Sequence, residues 1–325
     1  MIGRRALALA LAASFAAGGG RAQQRVRRVG FLSGNVRPPD SALAVHPMVR
    51  TLAEHGYVVG RNLAVEWRYA AGQFDSLPAL AAELLRGGAE VLVAGGGLAA
   101  IAAASATTER PVVVVAAGDP VGMGLVASLA RPGGNVTGVS EASTELSGKR
   151  LDLLAQLAPG ASRVAVLWNA NDRGMTLRYQ AFSDAAATLG IAIEAHALRS
   201  VGDIDAALAA MATSPPDAVM VVSDAFTSMN RRRIIDFAAG RGVPAMSEFV
   251  DFARDGGLIS YGPSLAEQFA RAGWYVARIL GGARPGDLPM EQPTRFHLIL
   301  NLKTARAIRL EVPPALLVGA DEAIE

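Results

Sequence analysis

Short apolar runs alternate with segments whose apolar residues recur at helical spacing. Val29–Leu32 is apolar without alternation, as in a strand covered on both faces, and Ser33-Gly34-Asn35 follows it. Asp40 or Ser41 then caps a predicted helix with Val45, Met48, Val49 and Leu52 on one face and Gly56 at its end. Leu63, Val65, Trp67 and Tyr69 alternate as in a strand, and Ser76 opens a helix that turns Leu77, Leu80, Leu84 and Leu85 inward. Val91–Ala94 reads as a buried strand opening through Gly95–Gly97 onto an Ala-rich helix, 99–106. Val112–Ala116 is the next strand, ending at Gly118-Asp119-Pro120, and 135–140 a further one. Thr144–Ala158 is helical in period, and Pro159-Gly160 breaks it.

The design then repeats. Arg163–Asn169 echoes Arg28–Asn35, Asp217–Asp224 echoes Ala89–Gly97, and Gly242–Glu248 loosely echoes Arg110–Pro120. Strands alternating with helical periods predict α/β architecture, with parallel sheets and right-handed crossovers. The repeat makes that two similar α/β lobes. After a strand at Leu258–Tyr261, Ser264 and Glu267 form a capping box for a helix with Leu265, Phe269, Ala272, Val276 and Ile279 on one face. Phe296–Leu300 alternates like an edge strand, a short helix at 302–308 follows, and Pro313-Pro314 closes the pattern. The expected division is lobe one at 27–140 plus about 259–290, and lobe two at 141–258 plus about 291–325. The chain then crosses between lobes three times, which makes a hinge of several strands.

The N-terminus changes the picture of where the protein works. Arg4 and Arg5 precede the apolar stretch Ala6–Ala17, and the small residues Gly20 and Ala22 sit where a signal peptidase reads. Residues 1–22 are therefore expected to be a signal peptide, too short in its apolar part to span a bilayer, which takes about 20 residues. A soluble periplasmic chain is expected. Nucleic acid is an unsuitable partner: removing Arg4, Arg5 and Arg21 from the 31 basic residues leaves 28 against 29 acidic ones, with no basic stripe. The absence of cysteine excludes disulfides, thiolate nucleophiles and Cys metal sites.

Candidate catalytic chemistry is thin. His46, His55, His196 and His297 are scattered without metal-ligand spacing, and no nucleophile elbow or P-loop occurs. Gly95–Gly97 lacks the later glycine of a dinucleotide fingerprint. No cofactor and no metal are expected. What stands out is the small polar residues closing the parallel strands, where open α/β sheets bind ligands. Ser33, Gly34, Asn35, Gly96 and Gly97 do so in lobe one; Asn169, Ser223 and Asp224 do so in lobe two. Helix N-termini there suit a ligand carboxylate. Asp119, Asp224 and Glu248 suit an ammonium or hydroxyls, and Tyr261, with Phe226 or Trp168, suits the ligand's body.

Several segments resemble a known family. They are FLSGN at 31–35, AEHGYVVGRNLAVEWRYA at 53–70, GDPVGMGLVASLARPGGNVTGVS at 118–140, GKRLDLLAQLAP at 148–159, SYGPSLAEQFARAGWYVARIL at 260–280 and NLKTARAIRLEVPPALLVGADEAIE at 301–325. Together they are similar to the ABC-transporter substrate-binding proteins that include tryptophan/tyrosine-type members. The resemblance implies a type I periplasmic binding protein: two Rossmann-like lobes, a three-strand hinge, and a ligand enclosed between them. It also implies that Ser33, Gly34, Gly96, Asp119, Asn169, Ser223, Glu248 and Tyr261 face the cleft. The chain departs from the family pattern twice. Gly96-Gly97-Leu98 stands where Gly-Thr-Pro is usual, and Asn169-Ala170-Asn171 where Asn-Pro-Asn is usual.

The expected function is that of a monomeric, non-enzymatic solute receptor for an ABC importer, delivering a small polar ligand to a membrane permease with a separate ATPase. An amino acid is one candidate for that ligand, aromatic amino acids included. The same clamshell can instead serve a sensor that signals to a membrane receptor. A doubly wound enzyme would need a nucleophile–base pair or a cofactor motif that the chain lacks.

Overall fold

The computed structural model describes residues 25–142 and 144–325. The expected signal peptide lies outside them. Five parallel strands form the first sheet: β1 (Arg27–Ser33), β2 (Leu63–Tyr69), β3 (Val91–Gly95), β4 (Val112–Ala117) and β5 (Val136–Ser140), in the order β2-β1-β3-β4-β5. Seven strands form the second, a mixed sheet in which only β10 and β11 pair antiparallel: β6 (Arg163–Asn169), β7 (Ala192–Leu198), β8 (Ala218–Val221), β9 (Ala245–Ser247), β10 (Ile259–Gly262), β11 (His297–Asn301) and β12 (Glu322–Ile324). Their order, β12-β11-β10-β9-β8-β6-β7, contains the first sheet's order again, since β7-β6-β8-β9-β10 matches β2-β1-β3-β4-β5. The pairings that matched in sequence thus occupy equivalent places.

Helices cover both faces of each sheet. The first lobe carries α1 (Asp40–Ala44), α2 (Pro47–Glu54), α3 (Leu77–Arg86) and α4 (Gly97–Ala106). In the second are α5 (Ser147–Leu157), α6 (Arg173–Thr188), α7 (Val201–Thr213), α8 (Ala225–Met229), α9 (Arg231–Arg241) and α10 (Val250–Arg254). α11 (Leu265–Leu280) returns to the first lobe, where Ala272, Tyr275 and Val276 join Val29, Phe31, Val113 and Val115 in one core. α12 (Leu302–Ala307) and α13 (Pro314–Gly319) close the second lobe. β4 is buried on both faces, which explains its unbroken valines.

Four local expectations change. Pro47 has no N–H and divides the first predicted helix; His46 caps the second piece, its Nδ1 accepting from Met48 N–H at 3.3 Å. Ser76 does not cap α3; its hydroxyl donates to the Gln73 carbonyl instead. β11 is not an edge strand, because β12 pairs beside it. β10 does not begin the return to lobe one: it pairs in parallel with β9 through Ile259↔Met246, so it belongs to the second sheet. Crossings follow β5, follow β10, and run through Glu291, which is bridged to Val139 on its way to β11.

Candidate functional site

The strand ends of the two sheets face each other. Contacts bring the lobes together there: Phe74 meets Phe226 edge-on at 6.4 Å, and a Cβ at Gly72 would lie 2.9 Å from Met229 Cε. Beside these contacts is a cavity of about 580 Å³. Asn35, Val36 and Pro38 line it from lobe one. Val221, Ser223, Thr227, Ser228, Met229, Arg231, Ser247, Phe249, Asp251 and Phe252 line it from lobe two, with Leu265 at the hinge. Its wall mixes seven apolar residues with four hydroxyls, the Asn35 amide and the charged Arg231 and Asp251, apolar surface with a few polar groups being the usual make-up of a small-molecule site. Ser223 and Ser247 share a hydrogen bond between hydroxyls at 2.5 Å, and the Ser247 hydroxyl donates to the Val221 carbonyl. Arg231 is taken up by Asp255 and the Ser228 carbonyl.

Next to it, a gap of only about 20 Å³ is bounded by Gly34, Phe74, Gly95–Ala99, Asp172, Asp224 and Ala225. Two carboxylates meet here. Asp172 caps α6, accepting from Gly174 N–H at 2.8 Å. Its carboxylate also lies against the start of α4 across the cleft, bordering the same gap as Gly97 and Leu98. Gly97 makes that approach possible, since a Cβ there would lie 2.6 Å from Asp172 Oδ2. Asp224 caps α8, accepting from Thr227 N–H at 2.8 Å, and Asn169 donates its amide to it at 2.6 Å. Burial pushes the Asp172 carboxyl up to about 6, and the Asp224 charge adds to the shift. Burial also raises Asp224.

At the base of the cleft lies a chain of four buried ions. Arg150 reaches Glu248 at 3.2 Å, Glu248 reaches Arg178 at 2.9 Å, and Arg178 pairs with Glu141. Burial drives Arg150 below its ordinary value, and Glu248 opposes that. Two positive and two negative groups balance, as buried charges must. Glu248 also accepts from Ser223 N–H, and the Tyr261 carbonyl accepts from Arg150 Nε.

The structure sorts the sequence-predicted residues. Asn35 and Ser223 line the large cavity. Gly34, Gly96, Gly97 and Asp224 line the narrow gap. Ser33 is buried behind them, its hydroxyl accepting from Asn35 N–H. Asn169 is committed to Asp224. Glu248, expected at a ligand ammonium, is held by two guanidinium groups instead. Asp119 shapes its own turn by accepting from Gly122 N–H at 2.8 Å. The Tyr261 ring lies against Phe296, and Trp168 stacks on Tyr179, both against the second lobe's core; of the three expected aromatic walls only Phe226 reaches the cleft. Sequence reasoning missed Asp172, Arg150 and Arg178. The arginines had a signal: Arg150 shares a helix face with Leu154 and Leu157, and Arg178 with Met175 and Phe182. A charge on an inward face needs a partner.

Among the described residues no helix is long and apolar enough to cross a membrane, and no group of His, Asp and Glu could hold a metal ion. The family model for ABC transporter substrate binding proteins matches residues 35–324. A tyrosine-binding protein of Clostridioides difficile is 23% identical over 276 residues, covering 85% of this chain and 79% of its own length. A conserved domain protein from Vibrio cholerae superposes with a TM-score of 0.86 at 25% identity, over 92% of this chain and 100% of that one. An ABC domain from Streptococcus pneumonia in complex with L-Trp gives 0.85 at 25% identity over the same shares. A leucine-binding protein from Thermotoga maritima, at 15% identity and a TM-score of 0.60 over 87% of each chain, shares the fold of type I periplasmic binding proteins. The chain belongs to the ABC transporter substrate-binding proteins, a family of binding proteins and not of enzymes.

Proposed function

We propose that this chain is the extracytoplasmic solute-binding component of an ABC importer, and that its solute has an aromatic body and lies in the cavity between the lobes. The observation that carries this reading is the cavity itself, about 580 Å³ and lined from both lobes. A solute touching both lobes binds the closed arrangement better than an open one and so favours it. Val36, Pro38, Met229, Phe249, Phe252 and Leu265 offer apolar walls, while Asn35, Ser223 and Ser247 offer hydrogen bonds. The tyrosine-binding relative and the L-Trp complex support an aromatic solute. Residues 1–22 act as the export signal, and the closed form, as a monomer, hands its solute to a membrane permease driven by a separate ATPase.

A thermal-shift series against aromatic amino acids, aromatic amines, nucleosides and sugars tests the reading. A ligand at 100 times its Kd should stabilise the chain by about 2.7 kcal/mol. Small-angle scattering with that ligand should show a decrease in radius. A response to sugars alone would overturn the aromatic solute.

A further inference from the structure

We propose that Asp251 receives a protonated amine of the solute, at the place where the large cavity meets a second one, so the chain takes aromatic solutes that carry a positive charge on nitrogen. The inference rests on the cavity being the solute site and names the chemistry of that solute.

Asp251 is placed on the cavity wall by α10, the short helix that follows β9. Its backbone carbonyl accepts from Asp255 N–H, but its carboxylate makes no hydrogen bond or ion pair among the described residues. Arg254, one turn on, feels that charge but pairs with Glu322 at 2.7 Å. Arg231, the other charged residue of the cavity, pairs with Asp255 at 2.5 Å and donates to the Ser228 carbonyl. The uncommitted charge of the cavity is thus negative. The acids expected at an amine lie elsewhere. Asp119 shapes its own turn, Asp224 caps α8, Glu248 sits between two guanidinium groups, and none of the three borders the large cavity.

The surroundings strengthen the attraction. Phe249, Phe252 and Leu265 wall the same cavity, and a carboxylate among apolar walls draws a cation through less water than one on an open surface. Space decides which amines fit. A second cavity of about 460 Å³ adjoins the first and shares Phe249, Asp251 and Leu265 with it. The carboxylate therefore borders both spaces. With the aromatic body in the first, a substituent on the nitrogen has room in the second. An alkylated amine keeps its charge and a proton to donate, whereas an acetylated one loses the charge.

The experiment is calorimetry on the full chain with tyramine and L-tyrosine, each compared with its N-ethyl and N-acetyl derivatives. Acetylation of the parent that binds should weaken it by about tenfold or more, the worth of a hydrogen bond between charged groups. Ethylation adds nearly the same bulk but keeps the charge, and should cost far less. Asp251→Asn has almost the same shape; it should weaken the charged probes by the same factor as acetylation and leave the acetylated ones unchanged. Equal affinity of the wild type for charged and acetylated probes overturns the inference, as does a loss on ethylation as large as that on acetylation. Asp251→Asn weakening both kinds of probe alike makes the residue structural and overturns it too. If no tyrosine-derived probe binds, the aromatic body fails, and cadaverine against its diacetyl derivative judges Asp251. Binding of the diamine that Asp251→Asn weakens upholds the acid's role, and no binding of the diamine overturns it.

Discussion

Asp172 binds its proton more tightly in the folded chain than in the unfolded one, because burial and the Asp224 charge raise it from 3.8 to about 6. A raised carboxyl stabilises the fold most below pH 3.8, and that contribution is lost as the pH rises through about 6. The shift corresponds to at most about 3 kcal/mol. Asp172→Asn carries no such proton. Urea denaturation from pH 4 to 7 should therefore show the wild type losing up to about 3 kcal/mol relative to this variant; a pH-independent difference would refute the assignment. The buried ion chain makes a second expectation. Arg178→Ala leaves Glu141 and Glu248 short of a counter-charge, and breaking a buried pair from one side costs about 3–5 kcal/mol. The loss should appear as a lower midpoint in denaturant without any solute present. A variant that is as stable as the wild type but binds solute poorly would place Arg178 in the binding wall instead.

At the scale of elements, α11 shows how one position decides a contact between helices. Gly273 faces α2, and a Cβ there would lie 2.7 Å from the Met48 carbonyl oxygen and 2.9 Å from Thr51 Cβ. In an exposed helix Gly→Ala gains about 1 kcal/mol. Here the added methyl meets backbone that cannot yield, and overpacking costs about 1–3 kcal/mol. Gly273→Ala should therefore lower the melting temperature, and an increase would show that α2 moves freely. The paired lobes were legible because β1 and β6, β3 and β8, and β4 and β9 each end an apolar run in small polar residues. The strand Ile259–Gly262 was legible as a strand but not as a member of the second sheet. Its apolar run is the same wherever it pairs, and its neighbour is set by Met246 and Ser247 of β9, which only the folded chain brings beside it. Asp172 was hidden for a related reason. An acid before a helix reads as an N-cap, and Gly97, against which this carboxylate lies, belongs to an element in the other lobe.

For the whole molecule, the question is how much of the closed arrangement the chain supplies before any solute arrives. Phe74 packs against the cores of both lobes, on the α3 face of the first sheet and against Phe226 in the second. It does not line the large cavity, whereas Phe249 does. The two aromatics therefore separate two contributions to affinity. An edge-on aromatic pair is worth about 0.5–1.5 kcal/mol beyond its buried area, so Phe74→Ala lowers the population of the closed form by up to about tenfold. Apparent affinity falls by the same factor, because only the closed fraction is competent. Scattering without solute should show a larger radius for Phe74→Ala, and saturating solute should restore the wild-type value. Phe249→Ala should weaken binding with no change in the solute-free radius. An unchanged radius in Phe74→Ala, together with weakened binding, would make Phe74 a wall of the solute site, and closing would then depend on the solute and on the remaining contacts between the lobes, Gly72 with Met229 and Gly97 with Asp172.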